Sequence, residues 1–319
     1  MRSPERMFGS LLSGWAKRTR APGTSRLVVP GARGSGRRHL ILLLAVLGFA
    51  SCATVPQKEP RELLSYLPED HNGYVSVAPS GEPYFSITLL QAFGFEENDA
   101  RKISERTERA FLGIGPGEEF SLVALGRYPD RSIGRTLRRE GWQESDEGGG
   151  ESSWVNPLVP YRIIRVEEGL YAVTTGEDLA YGGIPLPEPK LRRFLNASVG
   201  FYAPEPGRAI LSGMIGRGEL PIRDVYVEFR PSREGELREV VAQVETRSEE
   251  DARTLLVITR LLVVGTLNAA GIAFDEIPDS LTVEREGSEI LLDGLYLREG
   301  QIARLFLQRI PIYRPGALP

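Results

Sequence analysis

The chain has 319 residues, 41% hydrophobic and 26% charged, the composition of an ordinary globular protein rather than a disordered or polytopic one. Charge divides at residue 51: positions 1–51 hold nine basic residues against the single acid Glu5, whereas the rest holds 30 basic and 42 acidic residues. So acidic a body lacks the basic face that displaces counterions from a polyanion, which excludes nucleic acid as a partner.

Arg37, Arg38 and His39 precede eleven apolar residues, Leu40–Ala50. At ~1.5 Å per residue such a helix covers roughly half of a ~30 Å hydrocarbon core, too little to span it. A basic flank, a short apolar stretch and small residues at its end predict a removable export signal over 1–51. Phe49-Ala50-Ser51-Cys52 follows, holding the only cysteine of the chain. On these residues the chain resembles a bacterial lipoprotein precursor. That resemblance implies cleavage between Ser51 and Cys52, diacylglyceryl transfer to the Cys52 thiol and acylation of the new amino terminus. Phe49 stands where the family usually has Leu. Ala53, rather than an acid, follows the cysteine, and this resembles sorting to the outer rather than the inner membrane of the envelope. Two or three acyl chains, at ~0.8 kcal/mol per buried methylene, make a firm anchor where one chain does not.

Residues 52–66 begin polar and Pro-containing and are expected as a lipidated tether. Beyond it, Tyr74–Ala78 reads as a strand and Glu96–Ile114 as one helix, with Ala100, Ile103, Thr107, Ala110, Phe111 and Ile114 on a single stripe. Phe120–Gly126 reads as a strand and Ile133–Glu140 as a short helix. Arg162–Val166 and Leu170–Thr174 flank the turn Glu167-Glu168-Gly169 as a hairpin, and Pro189–Leu195 makes one more helix. Val225, Val227 and Phe229, then Val240, Ala242 and Val244, alternate with other residues and predict two strands with one buried face. Ser248 with Asp251 forms a capping box that opens a helix running to about Gly271. Leu281–Val283 and Ile290–Leu292 flank a turn at Gly287-Ser288, Gln301–Leu307 closes as a helix, and 309–319 is a Pro-rich tail. The expected fold class is α+β: two small antiparallel-sheet modules, 67–205 and 206–308, resembling ferredoxin-like repeats with helices packed on one face.

Chemistry is hard to find in the body. After loss of the signal one histidine remains, His71, so no His/Cys metal site can assemble and the only hydrolytic base of that kind would be His71 itself. Neither a cofactor site nor a metal site is expected. Gly113-Ile-Gly115-Pro116-Gly117 resembles a phosphate loop only superficially, since Pro116 lacks an N–H and Glu118 and Glu119 would repel phosphate; it is expected as a helix stop. Paired acids (Glu118/Glu119, Glu167/Glu168, Glu177/Asp178, Glu249/Glu250) with Trp142, Trp154 and Tyr161 keep open an acid-pair hydrolase of envelope glycans. Leu255–Ile272 is almost wholly apolar apart from Arg260 and Asn268. A central Arg260 and a capped start make it a poor membrane span, and leave a buried helix or the wall of an apolar groove. The expected protein is therefore a membrane-anchored envelope lipoprotein with a non-catalytic body. That body binds or scaffolds envelope proteins, or carries an apolar ligand such as a lipid in a groove beside helix 248–271.

Overall fold

The computed structural model describes residues 58–302, apart from 93–96, 117–118, 140, 147–151, 158–159, 177–178, 180–181, 207–220, 233–236, 270–271 and 273–279. In chain order the elements are α1 (Pro60–Leu64), β1 (Gly73–Val77), α2 (Pro83–Ala92), α3 (Glu97–Arg106), β2 (Thr107–Ile114), β3 (Phe120–Gly126) and α4 (Asp130–Arg139). Then come β4 (Gln143–Asp146), β5 (Ser152–Val155), β6 (Arg162–Glu167), β7 (Leu170–Thr174), α5 (Glu188–Asn196) and β8 (Val199–Pro204). The chain continues through β9 (Ile222–Pro231), β10 (Leu237–Thr246), α6 (Glu249–Ala269), β11 (Thr282–Glu286) and β12 (Glu289–Arg298). These strands form one antiparallel sheet in the order β11-β12-β10-β9-β8-β1-β2-β3-β7-β6-β5-β4. The fold is α+β, as expected, but the sheet is larger than two small modules. β8 bonds to both β1 and β9 and joins the halves into one ladder.

Helices cover both faces, not one. Strand alternation sends Tyr74, Phe111, Tyr202 and Tyr226 to one side, where Leu63 and Leu64 of α1 and Leu191 and Phe194 of α5 cover them. Val75, Val77, Val199, Phe229 and Val240 point to the other side with Phe85 of α2 and Ala252 and Leu255 of α6. On that second side Ile103 of α3 and Ile133 and Leu137 of α4 pack with Trp142, Trp154 and Ile163. We name the sides the α5 face and the α6 face.

The predicted helix over 96–114 is half helix and half strand. α3 ends at Arg106, and from Thr107 the chain pairs with β1 and β3. Thr107 and Phe111, four apart, fit either period, and pairing on both sides decides for the strand. Gly113 shows why: a Cβ there would lie 2.4 Å from His71 Cδ2, so the ring rests directly on β2 backbone. Gly113-Ile-Gly115 is thus a strand end rather than a helix stop. The expected tether 52–66 also ends inside the body, because α1 buries Leu63 and Leu64, with Leu67 just beyond. The hairpin β6–β7 and helices α4 and α5 lie where the sequence puts them, within a few residues. Ser248 caps α6 as expected, its hydroxyl accepting from the Asp251 N–H at 3.2 Å, while the return bond of the box runs from that hydroxyl to Asp251 Oδ2 at 2.7 Å.

Candidate functional site

On the α6 face the strand register aligns apolar side chains into rows that cross the sheet. One row runs Val77, Val199, Phe229, Val240, Leu295 over β1, β8, β9, β10 and β12, and every member is buried. Two residues along, the next row runs Leu112, Val75, Phe201, Val227, Ala242, Leu292. Here Leu112, Phe201, Val227 and Ala242 are only partly buried, as are Ile114, Val225 and Val244 one row further. With strands ~4.8 Å apart, the partly open positions of this floor on β8, β9 and β10 span roughly 10 Å, and the buried Val75 of β1 separates them from Leu112 on β2. Nothing on the floor is charged. Phe201 lies beside Gly73, where a Cβ would meet its ring at 3.4 Å.

Two helices border this floor. α2 lays Phe85 and Leu89 on it and holds Tyr84 outward, 56% exposed. α6 packs on β10, β11 and β12 with Ala252, Leu255 and Leu267 inward, while Leu256 and Val263 flank the floor. The other side of α6 shows Val257 (61% exposed), Ile258 and Leu261 (70% exposed), spaced to share one stripe. Arg260, the polar interruption in this segment, donates through Nη2 to the carbonyl of Val283 at 2.8 Å and so caps edge strand β11. Among the described residues no helix is long and apolar enough to cross a membrane.

At the α2 end the floor closes on charge. Arg238 of β10 donates through Nε to Glu82 at 2.5 Å and through Nη2 to Glu299 at 2.6 Å, with Glu82 1% exposed. Burial pushes the Glu82 carboxyl up to about 7, Arg238 pulling against that and Glu299 adding to it.

The α5 face carries a different chemistry. Lys190 of α5 is buried and donates to Asp224 at 2.7 Å and to Glu245 at 2.9 Å, and Arg223 also reaches Glu245 at 2.7 Å. One turn on, Arg193 donates to Glu228 at 3.2 Å and stacks over the Tyr226 ring, while the Tyr226 hydroxyl and Arg230 both donate to Glu228. Hydrogen bonds from Lys190 hold the Glu245 carboxyl below its usual range. Burial opposes the charge on Glu228, yet Tyr226 and Arg193 hold that carboxyl below its usual range too. Burial likewise works against Lys190, but its two carboxylates keep its ammonium above the ordinary lysine range. The second face of β9 is therefore buried too, where Asp224, Tyr226 and Glu228 sit among paired charges under α5.

The residues singled out in the sequence disperse. Ser51, Cys52, Ala53 and the 1–51 signal lie outside the described residues, as do Glu118, Glu177 and Asp178 of the paired acids. Glu167 pairs with Lys58 at 3.0 Å, Glu249 is an exposed first-turn acid of α6, and Trp142 and Trp154 are buried under α4 rather than open to a sugar. His71 is buried against Gly113 and Gly115, and neither ring nitrogen has a hydrogen-bond partner among the described residues. Burial holds its imidazole below the usual histidine range. Among the described residues no group of His, Cys, Asp and Glu is arranged to hold a metal ion. The floor itself was half-visible beforehand: the alternation of β9 and β10 and the apolar run 255–272 marked its parts, but not their register.

No family model matches the chain, and no curated protein is significantly similar to it. Solved structures are similar in fold. Crystal form III of TP0453 superposes with a TM-score of 0.57 at 13% identity, over 77% of this chain and 97% of that one. Form IV gives 0.55 at 14% identity, over 76% and 96%, and form I gives 0.54 at 13%, over 77% and 96%. At such identities the likeness is one of fold alone.

Proposed function

We propose that the chain is a lipid-anchored protein of the bacterial envelope whose body holds an apolar ligand, of the size of an acyl chain, on the floor of the α6 face. The reading rests on the rows around Phe201, Val227 and Val244, an uncharged surface whose side chains are only partly buried. No reaction is assigned: the body presents a binding surface, and the anchor on Cys52 keeps that surface beside its source of lipid. The tether is short, since Pro60 already begins α1; seven residues after Cys52 reach at most about 25 Å.

Two measurements test the parts. Labelled palmitate should enter the native protein and not Cys52→Ser; label on the substituted chain removes the anchor. Native mass spectrometry of the purified protein should show a bound lipid that is lost in Val227→Glu; an unliganded mass for the unsubstituted protein, or lipid retained by the variant, removes the ligand. A second reading, a docking module for an envelope protein, is favoured by the exposed stripe Val257, Ile258 and Leu261. A crosslinker at Leu261 separates the two: a discrete protein adduct supports docking, and its absence beside bound lipid supports the carrier.

A further inference from the structure

We propose that Glu82, Arg238 and Glu299 form a clasp that one shared proton holds shut, pinning α2 and the turn after β12 onto the closed end of the floor. Three separate stretches of chain meet there: the entry to α2, the start of β10 and the residues leaving β12. Gly300 lies directly against the Tyr84 ring, where a Cβ would be 3.5 Å from Cε1, and Ile302 is buried in the same core as Phe85. Releasing the clasp therefore frees the border of the floor on the α2 side.

Among the described residues, two carboxylates share one guanidinium, with Glu82 and Arg238 buried and Glu299 at the edge of the site. Glu299 Oε2 is buried and has no hydrogen-bond donor among the described residues, and Nε and Nη2 of one guanidinium hold the two carboxyl groups side by side. A proton on Glu82 supplies that donor and neutralises the excess charge together. Among the described residues, α2 carries no ionisable side chain but Tyr84, β10 brings Arg238 to this side, and the end of β12 adds the exposed Arg298. The raised Glu82 value, about 7, agrees with this arrangement. The sign follows. The docked state binds a proton that the undocked state, with an ordinary glutamate near 4.5, gives up. Undocking thus becomes easier as pH rises through that window and levels off above 7.

That the clasp governs access to the floor rests on the ligand reading above; that it exists does not. Hydrogen exchange of the full chain, corrected for intrinsic rates, reads the opening of 83–92 directly. The opening equilibrium should rise roughly tenfold per pH unit between pH 5 and 7. Glu82→Gln, permanently neutral and still able to donate, should stay protected and nearly flat with pH. Glu299→Gln should be flat as well, and it decides the matter if the first variant does not fold. A flat native profile, or a variant that keeps the native slope, overturns the clasp. Nile red, an uncharged apolar probe, should enter the native chain faster at pH 8 than at pH 5.5, with the difference lost in Glu82→Gln. A probe that enters at neither pH contradicts the ligand reading, and the exchange profile still settles the clasp.

Discussion

The two faces of this sheet are made of the same strands and solve opposite problems. On β9, Val225, Val227 and Phe229 look toward α6, while Asp224, Tyr226 and Glu228 look toward α5. The α5 face is finished: a charged helix is set into it, and each buried ion of Lys190, Asp224 and Glu228 has a partner. The α6 face is apolar, with several residues of its middle rows only partly buried and its described helices at the margins. A closed polar network specifies one arrangement of a helix, because any shift strands a charge. An open apolar floor specifies no partner geometry, and it tolerates whatever apolar surface fills it. Rigidity and accommodation are thus separated by the thickness of one sheet.

This contrast is easiest to break at Lys190. Lys190→Met leaves the buried Asp224 without its cation and Glu245 with Arg223 alone, and should cost about 3–5 kcal/mol by urea denaturation. Adding Asp224→Leu should recover part of the loss; a cost near zero for the single variant would mean the network holds nothing. Gly200→Val should be next. A Cβ there already lies 3.1 Å from Phe194 Cδ2, so α5 must lift, at about 1–3 kcal/mol. On the α6 face Val244→Ser touches a half-open position, and its urea midpoint should move by less than about 1 kcal/mol.

Acidity sharpens the same comparison, since Glu228 and Glu245 of the α5 face answer pH with opposite sign to Glu82, while burial raises Asp224 beside them. Glu228 and Glu245 sit below their usual range, so what they add is present above the unfolded carboxylate range and is lost as pH falls through their folded values. Glu82 is raised, so its cost appears as pH climbs from about 4.5 to about 7. Stability measured from pH 3 to 9 should therefore pass through a maximum. Glu228→Gln should soften the acid limb and Glu82→Gln the neutral one; a single monotonic limb insensitive to both would contradict the assignment.

Much of the ladder was legible because alternation and turns are local. The hairpin β6–β7, the β9–β10 pair and the capped start of α6 follow from spacing within twenty residues. What escaped depended on distant partners. β2 was hidden in a helical stripe until β1 and β3 paired with it. The short, polar β4 shows no alternation of its own and is a strand by virtue of β5. α2 is apolar nearly all round, so its moment points nowhere. The candidate site was legible only as ingredients, for register across five strands decides which valines become neighbours. The Lys190 and Arg238 clusters were not legible at all: their acids come from 34 to 156 residues away.

The most direct measurement is to bind a diazirine-bearing palmitate to the protein, irradiate it and map the labelled peptides. Adducts should fall on β8, β9 and β10 at residues facing α6, with Phe201, Val227 and Val244 among them, and none on α5. Label on α5 and its charged face, or no label where the acyl chain is in excess, would contradict the assignment of the floor.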